Sequence, residues 1–89
     1  MGALRRPREG DVLPAHEGVT SEGEAIEAAE RAAKEAGCPW LLPIGAQLLY
    51  HRARACWFVS TNVHSRGHRV IVAIEDATKA VVGIDVLPR

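Results

Sequence analysis

Residues 68–87, HRVIVAIEDATKAVVGIDVL, decide the fold. Val70, Val72 and Ile74 alternate with Arg69, Ile71 and Ala73. After the polar link Glu75-Asp76-Ala77-Thr78-Lys79, a second run sets Val82, Ile84 and Val86 against Val81, Gly83 and Asp85. A period of two in β-branched residues is the pattern of a pleated, half-buried strand. The link is too short to carry a crossover helix, so the two strands form an antiparallel hairpin.

Upstream, the same alternation predicts two more strands. Residues 54–61 put Ala55, Trp57 and Val59 on one face, with Cys56, Phe58 and Ser60 on the other. Residues 46–52 set Leu48 and Tyr50 against Gln47, Leu49 and His51. With strands at 68–75 and 80–87, the expectation is a four-stranded antiparallel sheet.

Before the strands the period changes. Ser21 followed by Glu24 has capping-box spacing, in which hydroxyl and carboxylate each satisfy an orphan N–H of the first turn. Glu22, Glu24 and Glu27 suit the positive end of a helix dipole. Ile26, Ala29, Ala33 and Ala36 recur at helical spacing, and Glu27–Arg31 and Glu30–Lys34 are favourable i,i+4 pairs. Gly37 suits a left-handed C′ position, and Pro39 cannot continue the helix. A helix over 22–36 follows. Its buried stripe is nearly all alanine, so the backbone can approach the sheet closely while the strands supply the apolar bulk.

Residues 1–18 hold Pro7, Gly10, Pro14 and Gly18 with no sustained period, and read as a flexible N-terminal arm with Val12 and Leu13 touching the domain, a single arm strand added to the sheet edge being the lesser alternative. Residues 19–89 form a single α+β domain, one helix on one sheet. A chain of 89 residues has room for no more.

One sheet face (Leu48, Tyr50, Trp57, Val59, Val70, Val72, Ile74, Val82, Ile84, Val86) is the expected seat of the helix. The other carries Leu49, Cys56, Phe58, Ile71, Ala73 and Val81, which is too apolar for a sheet surface in water. One helix cannot cover two faces. A self-association face at Leu49, Phe58, Ile71 and Val81, joining a homodimer, is the expectation.

Eleven basic and eleven acidic residues cancel, so no global field draws the chain to nucleic acid or membrane. The charge is uneven, however. Residues 17–35 carry six acids against Arg31 and Lys34, whereas residues 50–70 carry four arginines, three histidines and no acid. Arg52, Arg54, Arg66 and Arg69, with His64 and His68, form the expected contact for a protein partner with an acidic surface. The same arginines could meet phosphates, but aromatic stacking residues are only 4% of the chain, and nucleic acid is not expected.

The residues that might do chemistry are few. His64 and His68 stand four apart in a glycine-containing loop, where that spacing sets no metal geometry and no third ligand lies near. Cys38 and Cys56 make neither a CxxC pair nor a zinc cluster, and read as free packed thiols. No catalytic, metal or cofactor set is expected. The enzymatic or small-ligand alternative uses Tyr50, His51 and Cys56 in a pocket between helix and sheet. No apolar run is long enough to span a membrane, no signal-peptide apolar stretch opens the chain, and a cytoplasmic setting is expected.

Cys56-Trp57-Phe58-Val59, a loop, then residues 70–84, VIVAIEDATKAVVGI, resemble PepSY-like domains and the small NTF2-like immunity proteins of bacterial toxin systems. Each places an alanine-rich helix ahead of a tryptophan-led strand, a strand ending in an acidic turn, and a valine-led strand. The likeness runs over residues 21–86. Ala80 departs from it by standing where a turn glycine is usual. PepSY-like domains are typically exported, which tilts the resemblance toward the immunity-type role. It implies a non-catalytic module that binds or neutralises a partner protein. A nucleic-acid accessory role through the four arginines is the remaining alternative.

Overall fold

The computed structural model describes residues 8–38, 40, 42–61 and 69–87. In chain order the elements are β1 (Val12–Leu13), a 3-10 turn (Ala15–Glu17), α1 (Glu22–Glu35), β2 (Ile44–His51), β3 (Arg54–Thr61), β4 (Arg69–Glu75) and β5 (Val81–Leu87). The strands lie side by side in sequence order in one antiparallel sheet.

The helix starts as its capping box requires. Ser21 Oγ accepts from the Glu24 N–H at 3.1 Å, and Glu24 Oε1 accepts from the Ser21 N–H at 3.0 Å. It ends at Ala36, followed by Gly37 at φ 77°. Glu30 and Lys34 pair at 2.9 Å. Ala25, Ala29 and Ala33 are completely buried against Leu48, Trp57, Val59, Val70, Val72 and Ile74. Alanine lets the helix sit low on the sheet, and the strand residues fill the core. Burying each of the larger side chains is worth about 1.5–3 kcal/mol before the loss of chain entropy.

Two expectations are corrected. The sheet has five strands, not four, because part of the expected flexible arm is a strand. Val12 and Leu13 pair with Leu49 and Leu48, the Gly10 N–H donates to the Tyr50 carbonyl at 2.7 Å, and the Tyr50 N–H donates to the Asp11 carbonyl at 2.9 Å. A two-residue strand shows no period in sequence. Pro14 ends it without breaking it, since a missing N–H matters only inside a ladder.

The second correction concerns β5. Gly83 stands opposite Ala73 but Val81 stands opposite Ile74, so a bulge leaves Val82 as the extra residue. The bulge exchanges the two valines. Val81 is placed on the helix side with Ile74, and Val82 lines the opposite face with Phe58 and Ala73. Val81 therefore leaves the expected self-association face and Val82 joins it.

Among the described residues, no helix is long and apolar enough to cross a membrane.

Candidate functional site

Among the described residues, the face of the sheet away from α1 carries no helix. Directly opposed residues share a face, so the register assigns it: Leu49 with Cys56, Gln47 with Phe58, Phe58 with Ala73, Ser60 with Ile71, Ile71 with Asp85. Leu49, Phe58 and Ile71 are half-buried there, while Cys56 and Ala73 form a buried floor. Mutual packing thus shields this face more than its composition suggests, and Val12 and Val82 are its exposed apolar residues.

Phe58 is a wall between two hollows. One, of about 380 Å³, is lined by residues that include Gly45, Gln47 and Ser60. The other, of about 260 Å³, is lined by Ile71, Ala73, Val82, Gly83 and Asp85, with His51 and Arg52 at its rim. The small residues Gly45, Ser60, Ala73 and Gly83 leave the floor low on either side of the ring. A third hollow of about 300 Å³ continues past His51 and Arg52 to Arg54 and Cys56. The result is an apolar trough with a basic corner.

That corner is the β2–β3 turn, and it is strained. Arg52 and Ala53 lie at φ 52° and 64°. A two-residue hairpin turn needs left-handed residues and ordinarily takes Asn-Gly. Side chains at these angles cost about 1 kcal/mol each. The arm secures the turn: Glu9 Oε1 accepts from the Arg52 N–H, and Glu9 Oε2 meets His51 Nδ1, both at 2.7 Å. The Arg52 backbone N–H, aided by His51, holds the Glu9 carboxyl below the usual glutamate range. The His51 ring stands edge-on to Phe58, with centroids 5.4 Å apart. Arg54 pairs with Glu75 at 2.7 Å, and the Thr78 hydroxyl and Arg54 together hold that carboxyl low. The Arg52 guanidinium makes no ion pair among the described residues.

The expected arginine cluster is not one patch. Arg54 opens β3 beside the β2–β3 turn, whereas Arg69 opens β4 at the far end of the sheet. Arg69 is six residues along β4 from Glu75, the partner of Arg54, which separates the two by about 20 Å at ~3.3 Å per residue. Arg66, His64 and His68 lie outside the described residues.

The enzymatic set does not converge. Tyr50 opposes Ala55 and faces the helix side, while His51 and Cys56 face the trough. Burial, with the negative charge of Glu75 behind it, pushes the Cys56 thiol up, which keeps it protonated and unreactive. Cys38 packs against the helix-side core and Cys56 lies on the other face, so the sheet stands between the two free thiols. Among the described residues, no three His, Cys, Asp or Glu side chains gather as a metal site.

Sequence reasoning passed over Asp76. Taken for part of a polar link, it is 5% exposed and ties three segments together. Its carboxylate accepts from the Val19 N–H at 2.7 Å, and from the Thr20 N–H and Trp57 Nε1 at 2.9 Å each. The Thr20 hydroxyl donates to its carbonyl at 2.7 Å. Gly18 passes so near that a Cβ there would stand 2.9 Å from Asp76 Oδ1. A buried carboxylate with three donors is the joint that sets α1 on the sheet.

Comparison of the chain with protein-family models, curated proteins and solved structures finds no match.

Proposed function

We propose that this protein is a non-catalytic interaction module whose open sheet face docks a partner protein, with Arg52 as the charged contact. One observation carries the reading: the helix and its core occupy one side of the sheet, leaving Leu49, Phe58, Ile71 and Val82 around a trough on the other. The strained β2–β3 turn adds to it. A chain that keeps Arg and Ala at left-handed angles, when Asn-Gly would be easier, holds an unpaired guanidinium out beside an apolar hollow. That arrangement suits a partner with an acidic surface.

The buried, protonated Cys56 and the separation of Tyr50 from His51 argue against the enzymatic alternative. The reading keeps the immunity- or inhibitor-type role in a bacterial cell that the resemblance to small NTF2-like immunity proteins implies. A cytoplasmic setting stays part of the same reading. Self-association is kept as well, at a surface other than this trough.

Affinity capture from the source cell tests it. Wild-type protein should retain a partner that both Arg52→Glu and Ile71→Lys lose, while both variants keep the wild-type far-UV spectrum. Equal retention by all three removes the trough from consideration.

A further inference from the structure

The two edges of the sheet are treated differently. At one edge the chain's own arm lays β1 along β2. At the other, β5 has no neighbouring strand among the described residues. Its sequence, VVGIDVL, holds no lysine, arginine or proline, so its guards against pairing are one bulge and one charge, Asp85. Val81 and Val86 are 48% and 46% exposed on its helix side.

Width explains the exposure. Four long strands at ~4.8 Å spacing make a sheet about 19 Å broad, while a helix with its side chains is about 10 Å across. The buried residues accordingly fall on β2, β3 and β4, with Ile84 only partly covered. The helix layer reaches β5 only at Ile84 and leaves Val81 and Val86 uncovered.

We infer that β5 pairs antiparallel with β5 of a second copy, about a two-fold axis at Ile84, forming one continuous sheet. The strand is near-palindromic about that residue. Ile84 meets Ile84, and Val81, past the bulge, meets Val86 of the other copy, so the bare valines close into one apolar strip. Asp85 then lies across from Gly83. The register centred on Asp85 is excluded because it sets two carboxylates face to face. Both helices lie on the same side, about 20 Å apart by strand spacing. That exceeds the ~8 Å screening length, so their acidic faces do not oppose the pairing. The interface is small, and the dimer is therefore weak and concentration-dependent. This inference is independent of whether the trough docks a partner.

Sedimentation equilibrium on the full chain, from about 10 µM to about 1 mM where weak association is populated, is the test. Wild type should rise from one chain mass to two. Val86→Lys should stay at one, and Leu49→Lys, on the open face, should rise like wild type. A monomer throughout would overturn the inference and leave the edge to a strand from another protein. Dimerisation lost in Leu49→Lys but kept in Val86→Lys would overturn it in favour of the open face. Should Val86→Lys fail to fold, amide shifts of wild type on concentration decide: changes confined to β5 support the pairing, and changes at Phe58 and Ile71 contradict it.

Discussion

Six valines on three adjacent strands have opposite fates. Val59, Val70 and Val72 are completely buried, whereas Val81, Val82 and Val86 are 43–48% exposed. Residue type and strand propensity are the same. What differs is cover: Val81 and Val86 lie past the reach of α1, and Val82 is turned to the face away from it. Hydrophobicity marks a residue as fit for burial, but the reach of the covering layer decides whether burial happens.

The sharpest way to break this contrast is to unseat the helix. Asp76→Ala removes the acceptor for Trp57 Nε1 and for the N–H groups of Val19 and Thr20, leaving buried donors unpaired. A loss of at least about 3 kcal/mol is expected, lowering the melting temperature by about 12 °C or more. Thermal denaturation followed by tryptophan fluorescence checks it. Next comes the covered set: Val72→Ala should cost about 2–3 kcal/mol in urea denaturation, because the close-packed site cannot collapse onto the cavity. Ala53→Gly acts outside the covered core and in the opposite sense. Relieving the left-handed angle should add about 1 kcal/mol and leave partner capture unchanged. Val86→Ala should change stability by less than about 0.5 kcal/mol in the dilute monomer. A cost equal to that of Val72→Ala would mean the helix layer extends further than described.

Acid separates the two halves in another way. Glu9, Glu24 and Glu75 all titrate below the ordinary glutamate range, through the Arg52 N–H, the Ser21 N–H and the Thr78 hydroxyl respectively. A depressed carboxyl stabilises the fold above its unfolded pKa, and that contribution fades as pH falls through the lower folded value. Melting temperature should therefore decline on acidification, and Glu9→Gln should show a shallower decline. An identical profile would show that the arm latch carries no linkage.

Much of this contrast was legible in the sequence. The capping box, the alanine stripe and the alternation in β2 through β4 each speak through local chemistry, and the helix and four strands stand where they indicate. Four features were not legible. The two residues of β1 are too few to show a period. The adjacent Val81 and Val82 are chemically equivalent, so alternation could not reveal a bulge that exchanges their faces. Asp76 sits among Glu75, Thr78 and Lys79 in a run that reads as solvated, and only the return of residues 18–20 to the same place buries it. Of the trough's apolar residues, Leu49, Phe58, Ile71 and Ala73 were foreseen, and Val82 was not. The trough's strained corner was not foreseen either, since Arg-Ala carries no turn signature.

The central claim is that a single helix, narrower than the sheet and confined to one face of it, leaves the valines of β5 bare. The direct measurement is relaxation of valine methyl signals by a soluble paramagnetic probe in dilute protein. The methyls of Val81, Val82 and Val86 should broaden strongly while those of Val59, Val70 and Val72 stay sharp. Equal protection of all six would contradict the account.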